Sequence, residues 1–196
     1  MDLMRSIDNY CERLDPGFWA EPLNAVTNAA FVIGAMIAWR IARIEGRAGD
    51  WAVRAPIAVL TAIGVGSFLF HTYATAWASM ADVIPILVFI LLYMHIATVR
   101  FLALPVWAGI GAAALFFPSS LAIGWTIQAL FGPLNGSAGY GAVLVVILGY
   151  GAALIWSDRP GAGRGMLIGG AVLFASIVAR TLDDQTGPVC AALPTG

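Results

Sequence analysis

Residues 83–99 read VIPILVFILLYMHIATV, seventeen positions without a formal charge, closed by Asp82 on one side and Arg100 on the other. Crossing the ~30 Å hydrocarbon core of a bilayer takes about 20 helical residues, with a lower limit near 17, so this stretch is long enough to span. Five more stretches read the same way, at 23–43, 55–74, 101–117, 139–156 and 165–182. The expected fold is therefore all-α, a polytopic transmembrane helix bundle with six spans. Between Pro118 and Pro133, the short amphiphilic stretch SSLAIGWTIQALFG (119–132) is expected to form an interfacial or re-entrant helix, the alternative being a seventh span.

Composition agrees with lipid as the solvent. Hydrophobic residues make up 60% of the 196, charged residues 11%, and the mean hydropathy is +0.86. A water-facing surface needs far more charge than that. Residues 1–22 are polar and acidic and lack the basic start and small-residue cleavage site of a signal peptide, so the first apolar stretch is expected to stay as a helix. No internal repeat or low-complexity segment occurs, and residues 1–196 are expected to form one transmembrane domain. Once alternate connections are assigned to opposite faces, Arg40, Arg43, Arg47, Arg54, Arg100, Arg159 and Arg164 share one face, against Arg5, Arg13 and Arg180 on the other. The positive-inside rule places the first group in the cytoplasm. The acidic segment 1–22, the tail 183–196 and both cysteines, Cys11 and Cys190, then lie on the outer face, where a disulfide is permitted.

Polar side chains are costly in a membrane, so the few present mark the candidate site. In IDNYCERLDPGFWAEPLNAVTN (residues 7–28), Asp8, Glu12, Asp15 and Glu21 bring hard oxygen donors to a flexible loop, a donor set that suits Ca²⁺. A solvated acidic cap before a helix starting at Pro22 explains the same residues. Glu21, Asn24 and Asn28 recur at helical spacing and lay a polar stripe along one face. In GSFLFHTYATAWASMAD (residues 66–82), Ser67 and His71 are four apart and stack on one helix face, while Asp82 is expected to open the following helix. A histidine can hold Zn²⁺, a nearby carboxylate can carry a proton, and a hydroxyl can stabilise an oxyanion. Each also has a structural account: Asp82 as a helix N-cap, Ser67 bonded back within its own helix, His71 as an interfacial histidine.

Together YCER…WAEPLNAVTN, GSFLFHT…WASMAD and RTLD…C…LPTG resemble the alkaline ceramidase family of seven-helix membrane hydrolases over essentially the whole chain. The resemblance implies a zinc-dependent amidohydrolase acting on ceramide or a related long-chain lipid amide. It makes His71 a zinc ligand, Ser67 the oxyanion-stabilising hydroxyl and Asp82 the acid/base. It makes Asp8, Glu12, Asp15 and Glu21 calcium candidates, and it pairs Cys11 with Cys190. The implied partner is a membrane lipid substrate; nothing points to nucleic acid, and no protein partner can be inferred. The family's two remaining zinc ligands come from a His-x-x-x-His pair on a seventh helix, which is expected to be missing here. The other histidine, His95, lies 13 residues past Asp82, about 20 Å deeper at 1.5 Å per residue. The alternative class is a catalytically inactive lipid-binding or receptor-like protein of the same fold. A transporter or channel fits the helix count but lacks broken-helix repeats and rows of intramembrane charge.

Overall fold

Apolar runs without interruption become helices, because in hydrocarbon every backbone N–H and C=O must be satisfied within its own segment. The computed structural model describes residues 2–7 and 10–183. Helices α1 (Pro22–Thr27) and α2 (Ala29–Ile44), parted at Asn28, form the first span. They are followed by α3 (Trp51–Tyr73), α4 (Ala76–Ile96), α5 (Val106–Phe131), α6 (Ala138–Trp156) and α7 (Pro160–Leu182). A π-helical turn, Ala97–Phe101, continues α4, and a 3₁₀ turn, Leu134–Gly136, precedes α6. Six segments are long and apolar enough to cross a membrane, and the described residues contain no strand beyond a single bridge between Ser6 and Thr75. The all-α transmembrane expectation therefore stands.

Two local expectations are corrected. Residues 119–132 are not a separate helix, because α5 runs unbroken through Pro118 for 26 residues. A proline removes one N–H, and unwinding the chain there would expose several more polar groups to lipid. Beside it the Ser119 hydroxyl donates to the carbonyls of Leu115 and Phe116, and Ser120 donates to that of Phe117. Asp82 does not open α4 either, since the helix begins six residues earlier at Ala76. The N-terminal segment caps it instead: Ala76 N donates to Arg5 O at 3.0 Å and Trp77 N to Leu3 O at 3.0 Å.

The chain falls into two units, Met1–Tyr93 and Met94–Gly196, with the boundary inside α4. In the first, α2 and α1 pack along α3, and Tyr10, Phe70 and Ala78 form a small core with Ile7 and Trp77. Close helix contact at Gly64 follows from its missing side chain, since a Cβ would press on Val32 and Phe31. Phe18, Trp19 and Tyr73 cluster edge to face, with Phe18 5.3 Å from Tyr73, and all three are exposed. Amphipathic rings of this kind are at home at the membrane–water interface. In the second unit, α6 packs on both α5 and α7.

Candidate functional site

The first turn of α1 explains how a carboxylate comes to be buried at its start. Four N–H groups at a helix N-terminus need acceptors, and a residue placed as Glu21 is ordinarily one. Here Glu12 does that work from nine residues upstream, its two carboxylate oxygens accepting from Leu23 N at 2.6 Å and Asn24 N at 2.9 Å. Glu21 makes no capping bond and turns inward, where only 2% of it is exposed. Asn24 and Asn28 follow it on the protected side of the helix while Leu23, Val26 and Thr27 are exposed, so the stripe read from the sequence faces protein.

Both oxygens of Glu21 are used. Oε1 accepts from Arg13 Nε at 2.6 Å, and Oε2 accepts from His71 Nδ1 at 2.5 Å. Arg13, itself buried, also donates from Nη2 to the His71 carbonyl at 3.1 Å and from Nη1 to the Asp15 carbonyl at 3.4 Å. The His71 carbonyl lies in the last turn of α3, among the groups that lack an intrahelical partner. A buried ion pair is tolerated when its remaining polar atoms also find partners, and here each Arg13 side-chain nitrogen and both Glu21 carboxylate oxygens have one. Tyr10 sets its ring edge against the His71 imidazole at 4.8 Å, fixing the ring from a second side.

One turn before His71, the backbones of α3 and α4 meet. A Cβ on Gly66 would overlap the Ala81 carbonyl and come within 3.1 Å of Asp82 N. Glycine is required by that approach, which sets Ser67 and Asp82 on adjoining backbone. Ser67 is buried, yet its hydroxyl makes no hydrogen bond among the described residues, whereas Thr61 and Thr72 of the same helix bond back to their own carbonyls. The back-bonded account of Ser67 is therefore excluded, as is the N-cap account of Asp82.

Ser67 and His71 thus lie one turn apart on α3, Asp82 is on the stretch of α4 that meets Gly66, and Glu21 stands beside His71. The calcium candidates among the described residues each have a different partner. Glu12 caps α1, Asp15 is exposed and accepts from Gly17 N, Glu21 joins Arg13 and His71, and Asp8 lies outside the described residues. Among the described residues no group of three or more His, Cys, Asp or Glu is placed to hold a metal ion. His95 lies against α5, where a Cβ on Gly109 would come within 2.6 Å of its Nδ1. Cys11 is described and Cys190 is not. Sequence reasoning missed Arg13, which it counted only as an outer-face charge. The available signal was a single arginine set among Glu12, Asp15 and Glu21, where an acidic loop needs a counter-ion.

A cavity of about 400 Å³ opens among α5, α6 and α7, lined by apolar side chains such as Phe131, Leu144 and Phe174; none of the candidate residues lines it. Compared with known proteins, residues 5–178 match the family model described as Ceramidase. No curated protein and no solved structure matches the chain.

Proposed function

The chain belongs to the ceramidase family, and from that premise we propose that it is a membrane amidohydrolase cleaving the N-acyl amide bond of ceramide or a related long-chain lipid amide. The observation that carries the reading is His71, buried and held at Nδ1 by Glu21, one turn from a buried Ser67 whose hydroxyl is uncommitted. In amide hydrolysis a water oxygen bonds to the acyl carbon, the C–N bond breaks, and a fatty acid and an amine leave. Asp82 takes the proton from the attacking water and returns it to the departing nitrogen. Ser67 donates a hydrogen bond to the carbonyl oxygen as negative charge develops on it.

His71 fits one position of a zinc site, because a carboxylate on Nδ1 fixes the tautomer that leaves the Nε2 lone pair for a metal. Zinc bound there would supply Lewis-acid polarisation at the reacting centre. A catalytic zinc ordinarily takes three protein ligands, so two would come from outside the described residues. The second reading is a catalytically silent lipid-binding or receptor-like protein of this fold. Zinc content by mass spectrometry and fatty-acid release from a long-chain ceramide separate the two. We expect both where two further histidines complete the ligand set of His71, and neither where His71 is the sole histidine ligand. Failure of the completed site to support turnover would favour the silent protein, and turnover without the added histidines would show that the ligands are misassigned.

The site is proposed to face the outer side, on the strength of the arginine distribution, with a Cys11–Cys190 disulfide joining the ends of the chain. Labelling of a cysteine introduced at Glu45 should require permeabilised membranes, and intact mass should rise on reduction and alkylation.

A further inference from the structure

The acidic segment ahead of α1 has the composition of a calcium site, yet Glu12 and Asp15 are committed elsewhere. Glu12 spends both oxygens on the amides of α1, and Asp15 turns its carboxylate to Gly17 N. What converges instead is one carboxylate oxygen of Glu21 with the backbone carbonyls of Asp15 and His71. Carboxylate and carbonyl oxygens are the donor mix that Ca²⁺ takes in flexible loops. At their centre lies the Arg13 guanidinium, with every nitrogen bonded and its side chain only 4% exposed.

We propose that Arg13 is the built-in cation of this segment, doing for the fold what a bound divalent ion would do and making it independent of Ca²⁺. A planar guanidinium always carries its charge and directs its donors along fixed lines, so it can neutralise Glu21 while gripping two carbonyls. Three parts of the chain are thereby tied at one point: the N-terminal segment, the start of α1 and the last turn of α3. By neutralising and holding Glu21, Arg13 also acts as a positioning residue for the His71 ring, since the carboxylate that takes Nδ1–H is the one it clamps. None of this rests on the amidohydrolase reading, because the test reads folding and tautomer rather than turnover.

The experiment follows thermal unfolding of the full chain in detergent, by tryptophan fluorescence, in EGTA and in millimolar CaCl₂. The wild-type midpoint should be the same in both. Arg13→Gln should lower it by roughly 6–20 °C, as expected for opening a buried ion pair in a chain of this size. Calcium should then restore part of the loss, because one carboxylate and two carbonyls are left without a cation. Arg13→Lys, which keeps the charge but not the fork, should fall between the two and remains informative if Arg13→Gln fails to fold. The imidazole ¹⁵N shifts report the tautomer, with His95→Gln leaving His71 as the sole histidine. His71 should be held as the Nδ1–H form in the wild type and become a mixture in the Arg13 variants; an arginine with a purely structural role would leave it unchanged. A saturable rise of the wild-type midpoint with calcium would overturn the proposal, as would an Arg13→Gln midpoint equal to wild type.

Discussion

Around α3, buried ionic bonds reach far along the chain: Arg13 meets Glu21 and, 58 residues on, the carbonyl of His71. In the second unit, neutral groups also join one element to another. The hydroxyls of Thr98 and Tyr150 meet at 2.6 Å, and the Asn135 amide donates to the carbonyls of Arg180 and Asp183, closing the α5–α6 connection onto the end of α7. Close packing there depends on glycine. A Cβ on Gly163 would press on Gly151 O at 2.7 Å and on Ile155, and one on Gly151 would press on Leu167. Small residues and neutral hydrogen bonds are the inexpensive way to join helices in lipid, and ionised groups are the expensive way. The region that accepts the expense is the one that carries Ser67, His71 and Asp82, whereas the cavity among α5, α6 and α7 is lined by apolar side chains.

If the difference is functional, substitutions in the two regions should fail in different ways. The largest effect is expected from Asp82→Asn, which should reduce turnover in an active form by about 10²–10⁴-fold while the protein folds normally, and Ser67→Ala should cost about 10²–10³-fold. Fatty-acid release per folded molecule measures both, and rates near wild type would remove the chemistry from the α3–α4 contact. Next in size is Gly163→Ala, whose added methyl has no room: it should destabilise by about 1–3 kcal/mol and leave turnover per folded molecule unchanged. A drop in turnover with unchanged unfolding would blur the contrast. The smallest effect should come from Thr98→Val, which removes one hydroxyl bond to Tyr150, worth roughly 0.6 kcal/mol within a membrane. Reversible unfolding in mixed micelles can resolve it against Tyr150→Phe, and a much larger loss would show that this neutral bond matters as much as the ionic cluster.

Of the site, the spacing of Ser67 and His71 and the inward stripe of Glu21, Asn24 and Asn28 were legible beforehand, because both follow from helical periodicity within one segment. The roles of Glu12 and Glu21 were not. Both are acidic residues before a helix, and which one caps it depends on how the loop between them folds.

What the sequence alone determined is the membrane class and the six spans, since the cost of placing a residue in hydrocarbon is a local property that sums along a segment. The continuity of α5 through Pro118, the contact of Gly66 with α4, and the burial of Arg13 between Glu21 and the end of α3 were decided only by tertiary structure. A proline is kept in a helix, or an arginine in a dry interior, when groups distant in sequence satisfy the polar atoms involved, and no local sum contains those groups.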